Sequence, residues 1–93
     1  MARFLVRYSY DAALADDRAA RLAEHRAWLA GLQTEGRLLA AGAFTDGTGA
    51  VIVIEAPDAP GAVATMDDDP FRTAGLVADR SVDEWNVRWG PLA

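Results

Sequence analysis

The chain has 93 residues, 52% of them apolar, which is enough for one small hydrophobic core and too short for two domains. Nine basic residues against 14 acidic ones leave a net charge of −5, which repels a phosphate backbone and an anionic membrane surface, so neither nucleic acid nor lipid is expected as a partner. The chain contains no cysteine and no lysine, which excludes a disulfide framework, a thiolate nucleophile, a sulfur-ligated metal centre and a Schiff-base lysine.

Residues 3–10 alternate between Phe4, Val6, Tyr8, Tyr10 and a second set of Arg3, Leu5, Arg7, Ser9, the period of a strand. Asp16 and Asp17 offer helix N-caps, and residues 18–35, rich in Ala, Leu, Arg and Glu, predict a helix closed by Gly36 in the left-handed conformation. Its apolar stripe is Leu22, His25, Leu29, Leu32, a 3-4-3 spacing that puts the only histidine where a leucine is expected. Arg21, Glu24 and Arg26 fall largely outside that stripe.

Residues 37–44 predict a second strand, 45–49 a hairpin loop, and 50–56 a third strand whose centre, Val51-Ile52-Val53-Ile54, is apolar on both faces. Asp58 can start a second helix over residues 60–66. The acidic run Asp67-Asp68-Asp69 follows, then a short turn from Pro70-Phe71 to Gly75. Val82, Trp85, Val87 and Trp89 predict a final strand over residues 79–89, ended by Gly90 and Pro91.

Strand, helix, strand, strand, helix, strand is the ferredoxin-like βαββαβ order, an α+β fold in one domain over residues 1–93, with strands one and three central in a four-stranded antiparallel sheet. Two helices shield one face of such a sheet. The other face needs a cover, and a second copy of the chain packed sheet to sheet is the simplest one, so a homodimer is expected. With no apolar run of membrane-spanning length and no signal-like start, the expected location is the cytoplasm.

Candidate chemistry is sparse. Neither Ser9 nor Ser81 lies in a nucleophile elbow, and no phosphate-binding glycine motif is present. One histidine cannot furnish a typical zinc or copper shell, and three consecutive carboxylates point in divergent directions, so no metal and no cofactor are expected. His25 then has two readings: a packed histidine with both ring nitrogens satisfied, or a general acid/base beside a dry pocket. A carboxylate on its second nitrogen would fix the tautomer and stabilise the charged form. Asp69 is the candidate for that carboxylate, and Asp-Pro is equally a good N-cap and N1 pair. Gly42 either relieves crowding inside a strand or lets a ligand approach the backbone. Tyr8, Tyr10, Trp28, Phe44 and Phe71 either line a pocket for a flat ring or fill the core.

His25, the segment QTEGRLLAAG ending at Gly42, the loop glycines Gly47 and Gly49, and Asp69-Pro70-Phe71 with Ala74-Gly75 together resemble the YCII-related (YciI-like) family. The resemblance implies a dimeric α+β barrel, akin in shape to muconolactone isomerase, with a histidine–aspartate pair in a pocket. Carried over by motif, the pair is His25 and Asp69, with Gly42 and Phe71 as pocket walls. Tyr8 and Phe44 join them as expected substrate contacts. The implied chemistry is proton transfer on a small cyclic, oxygenated substrate without a cofactor, including halide elimination from chlorinated hydroxylated rings. The short loop between strands two and three implies an open pocket. Two other functions stay in view: a non-catalytic binding or accessory dimer, and haem chemistry with His25 as axial ligand.

Overall fold

A computed structural model describes residues 1–93. The chain forms β1 (Ala2–Ser9), a 3-10 turn (Ala12–Leu14), α1 (Ala15–Thr34), β2 (Leu38–Ala43), β3 (Gly49–Ala56), α2 (Ala59–Asp67), α3 (Pro70–Thr73) and β4 (Asp79–Glu84). The four strands form one antiparallel sheet in the order β2-β3-β1-β4, which puts β1 and β3 in the centre as the ferredoxin-like reading requires.

Alternation along β1 drives Phe4, Val6 and Tyr8 to one face, where they pair across the ladder with Ile54, Ile52 and Ala50 of β3. Ala62 and Met66 of α2 and Phe71 of α3 close over this face, and these residues form a single core. Each fully buried side chain of this size contributes about 1.5–3 kcal/mol by leaving water. Leu5, Val53 and Ala40 share the opposite face, with Val51 and Gly42 one rung further along. All helices in the core pack on the first face, so this second apolar strip has no helical cover.

Three element boundaries differ from the sequence expectation. Helix α1 begins at Ala15 and takes no side-chain cap, because the 3-10 turn runs directly into it. Asp11 caps that turn, accepting from the Ala13 N–H, and Asp16 and Asp17 occupy the first turn of α1, where carboxylates favour the positive end of the helix dipole. The final strand ends at Glu84 rather than Trp89. Glu84 stands opposite Phe4 and the Trp85 N–H donates to the Arg3 carbonyl, so by this point the register has carried β4 to the end of β1. Trp89 is accordingly 91% exposed. The turn after Pro70 is a one-turn helix, followed by Gly75 at φ 72°. Gly36, at φ 75°, closes α1 as expected.

Candidate active site

The stripe on α1 carries His25 inward from the middle of the helix, with Leu22, Leu29 and Leu32 on the same side. Asp69 arrives from the junction of α2 and α3. A residue before proline is barred from the helical region, so Asp69 adopts φ −60°, ψ 125°, which breaks α2 from α3 and turns its side chain into the protein. Its neighbours diverge: Asp67 pairs with Arg80 at 2.7 Å, and Asp68 stands at the C-terminus of α2.

The Asp69 carboxylate is fully buried and accepts three hydrogen bonds. The Phe71 backbone N–H donates to Oδ1 at 3.0 Å, the His25 imidazole meets the same oxygen through Nδ1 at 2.7 Å, and the Tyr8 hydroxyl donates to Oδ2 at 2.8 Å. A carboxylate can only accept, so Nδ1 carries a proton, and in the neutral imidazole Nε2 is the nitrogen with the lone pair. Nε2 has no protein partner. No buried polar side-chain atom is left unsatisfied, so Nε2 opens onto accessible space. The imidazole lies flat on the Phe71 ring, with centroids 4.0 Å apart and planes 1° from parallel. Burial, reinforced by the Asp69 charge, pushes the Tyr8 phenol far above its ordinary value, and the same two causes raise Tyr10.

His25 lines a cavity of about 560 Å³ between α1 and the β2–β3 side of the sheet, within the range of small-molecule sites. It exists because the residues facing α1 from this edge, Ala41, Ala43 and Ala50, are too small to fill the gap beneath the helix. Its walls include His25, Gly42 and Phe71, together with Tyr10, Leu22 and Ile52.

Of the six residues expected at the site, His25, Gly42 and Phe71 line this cavity. Asp69 and Tyr8 lie behind the imidazole, in contact with it or with each other and not with the cavity. Phe44 is 41% exposed and stands outside the cavity wall, beside Gly49. A Cβ at Gly42 would meet nothing within 4 Å, so crowding does not explain that glycine. Sequence reading passed over Arg18, which is only 8% exposed and also lines the cavity. Its signal was its position seven residues before His25, on the same helical face.

No helix is long and apolar enough to cross a membrane. No curated protein sequence matches the chain. Among solved structures, it is similar to the 5-chloro-2-hydroxyhydroquinone dehydrochlorinase from Burkholderia phenoliruptrix AC1100, solved as a complex with 2,5-dihydroxybenzoquinone. The two superpose with a TM-score of 0.80 at 25% identity, over 90% of this chain and 93% of that one. The fold and the order of its motifs agree with the sequence pattern of the YCII-related domain, which matches residues 1–86, and the chain belongs to that family.

Proposed function

We propose that this protein is a cofactor-independent lyase or isomerase that moves a proton on a small, cyclic, oxygenated substrate held between α1 and the sheet. One observation carries the reading: a single imidazole has one nitrogen held by a buried carboxylate, leaves the other without a protein partner, and lines a substrate-sized cavity. In the elimination case, one ring hydroxyl is ketonised as the halogen-bearing carbon takes up its proton and becomes tetrahedral. Nε2 then takes the proton of a second ring hydroxyl, its oxygen lone pair moves into the ring as a new carbonyl and ring double bond form, and the leaving anion departs from the tetrahedral carbon with its bonding pair. Proton and anion leave together as HX. Asp69 stabilises the imidazolium formed in that step, and its caps on both oxygens keep it from turning away. The likeness to a dehydrochlorinase supports elimination over other proton transfers.

The same reading takes the working unit as a homodimer, supported by the sheet face of Leu5, Val51 and Val53, which no helix covers and on which Leu5 and Val51 stay partly exposed. Gly42 and Phe71 act as walls of the substrate site, and Tyr8 acts through Asp69. Phe44 touches substrate only if a partner subunit or the ligand reaches beyond this cavity.

The test is chloride release from chlorinated hydroxyhydroquinones. His25→Ala should lower turnover by about 10²–10⁴-fold while the circular dichroism spectrum stays that of a folded protein, with a lower Tm because the buried Asp69 carboxylate loses one of its three partners. Asp69→Asn keeps the base and loses the charge behind it, so it should cost less, about 10–100-fold, and in kcat rather than KM. Full turnover in His25→Ala overturns the proposal. Binding of the ring without turnover in the wild type leaves the accessory-module reading in its place.

A further inference from the structure

The chain carries 14 acidic residues and a net charge of −5, yet none of its acids lines the cavity. The charged groups on the wall are Arg18 and Arg26, beside His25. Arg26 is exposed, at the rim. Arg18 is buried, and no carboxylate pairs with it. Its guanidinium donates through Nη1 to the Asp11 carbonyl at 2.9 Å and lies over the Tyr10 ring, 4.3 Å from the centroid.

Those two contacts leave most of the five guanidinium donors unused. Because no buried side-chain nitrogen lacks a partner, the unpartnered Nε and Nη2 reach accessible space rather than being sealed in protein. Holding a guanidinium out of bulk water without a counter-ion is unfavourable, and an anion entering the cavity would relieve it through charge-assisted, bidentate hydrogen bonds. The separation suits one small molecule: seven residues along α1 is a rise of ~10 Å between Arg18 and His25. A ring between them can present an oxyanion to one and a transferable proton to the other.

We infer that the cavity takes its substrate as an anion, an aromatic or cyclic molecule with an ionised carboxylate or acidic enol, bound through that group by Arg18. This rests on the proposed role of His25 and adds the class of substrate. Tyr10 is then a positioning residue that holds the guanidinium plane toward the cavity, and Arg26 adds long-range attraction at the mouth.

The probes are 4-hydroxybenzoate and 4-hydroxybenzamide, which differ little in shape and by one charge, followed by chemical-shift titration. Wild type should bind the benzoate at least ~10-fold more tightly than the benzamide, and Arg18→Gln should bring the two within ~2-fold by lowering benzoate affinity alone. Arg18→Lys, which keeps the charge and loses the fork, should retain a reduced preference. It also stands in for Arg18→Gln if that variant does not fold. Equal affinities in the wild type, no binding of either probe, or an unchanged preference in Arg18→Gln or Arg18→Lys overturns the inference. A purely structural Arg18 would lower Tm and weaken both probes together, which also overturns it. His25→Ala is expected to keep the preference for the benzoate. The role of the base is judged by turnover in that variant and the anion site by the Arg18 variants, so either can fail alone.

Discussion

At Asp69 one carboxylate does two jobs that the sequence presents as alternatives. Oδ1 caps α3 through the Phe71 N–H and holds the His25 imidazole, while Oδ2 takes the Tyr8 hydroxyl. The cap is what makes the carboxylate a fixed partner, since a side chain tied to its own backbone has no other rotamer to visit. Tyr8 reports on this arrangement. Its neutral phenol is the form the fold holds, so folding stability should be insensitive to Tyr8 below its ordinary pKa of 10.0 and fall as pH rises above it. Tyr8→Phe should lower stability by about 1.5–3 kcal/mol near neutrality, the worth of a hydrogen bond to a charged group, and should flatten part of the alkaline loss. Urea titrations at stepped pH from neutral upward measure both, and an equally steep alkaline loss in Tyr8→Phe would refute the assignment. The strand period of residues 3–10 shows that Tyr8 faces the core. It does not show that its hydroxyl ends on a carboxylate 61 positions away, because a long-range polar contact leaves no local period.

The elements were legible where their signals are periodic. The α1 stripe, the double-faced apolar run of β3 and the central placement of β1 all follow from spacing, and all are present in the fold. The end of β4 was not legible, because Val87 and Trp89 continue the alternation after β1 has run out of partners, and a strand needs a neighbour as well as a pattern. The cavity was not legible as a cavity either, since Ala41, Ala43 and Ala50 read as unremarkable small residues until α1 is laid across them. Between β1 and β3 one position tolerates no side chain. A Cβ on Gly49 would lie 2.0 Å from the Tyr8 carbonyl oxygen, a backbone atom that cannot step aside without parting the two central strands. Gly49→Ala should therefore cost about 2–3 kcal/mol in chemical denaturation. Gly42→Ala, in open space, should stay within about 0.5 kcal/mol of wild type. Equal behaviour of the two variants would contradict the packing described for this ladder.

For the whole molecule, the one-sided placement of the helices leaves Leu5, Val51 and Val53 on a sheet face that no helix covers. Arg3 and Glu55 pair across the same face at 3.7 Å and bound the strip at one end. A second copy meeting this face should give a light-scattering mass near twice 9.9 kDa at micromolar concentration. Val51→Asp, placing a carboxylate on the strip at its end away from Arg3 and Glu55, should yield a folded monomer; a wild type that is already monomeric rules the dimer out. The proposed chemistry draws on residues 8, 25 and 69, which reach one another only after β1, α1 and the α2–α3 corner have all assembled. Closing loops of 61 and 44 positions comes late in folding, after the local helices and the hairpin. A nascent or half-folded chain therefore carries an ordinary histidine with nothing to orient it. Activity becomes a certificate of completed folding, and no short excised peptide can inherit it.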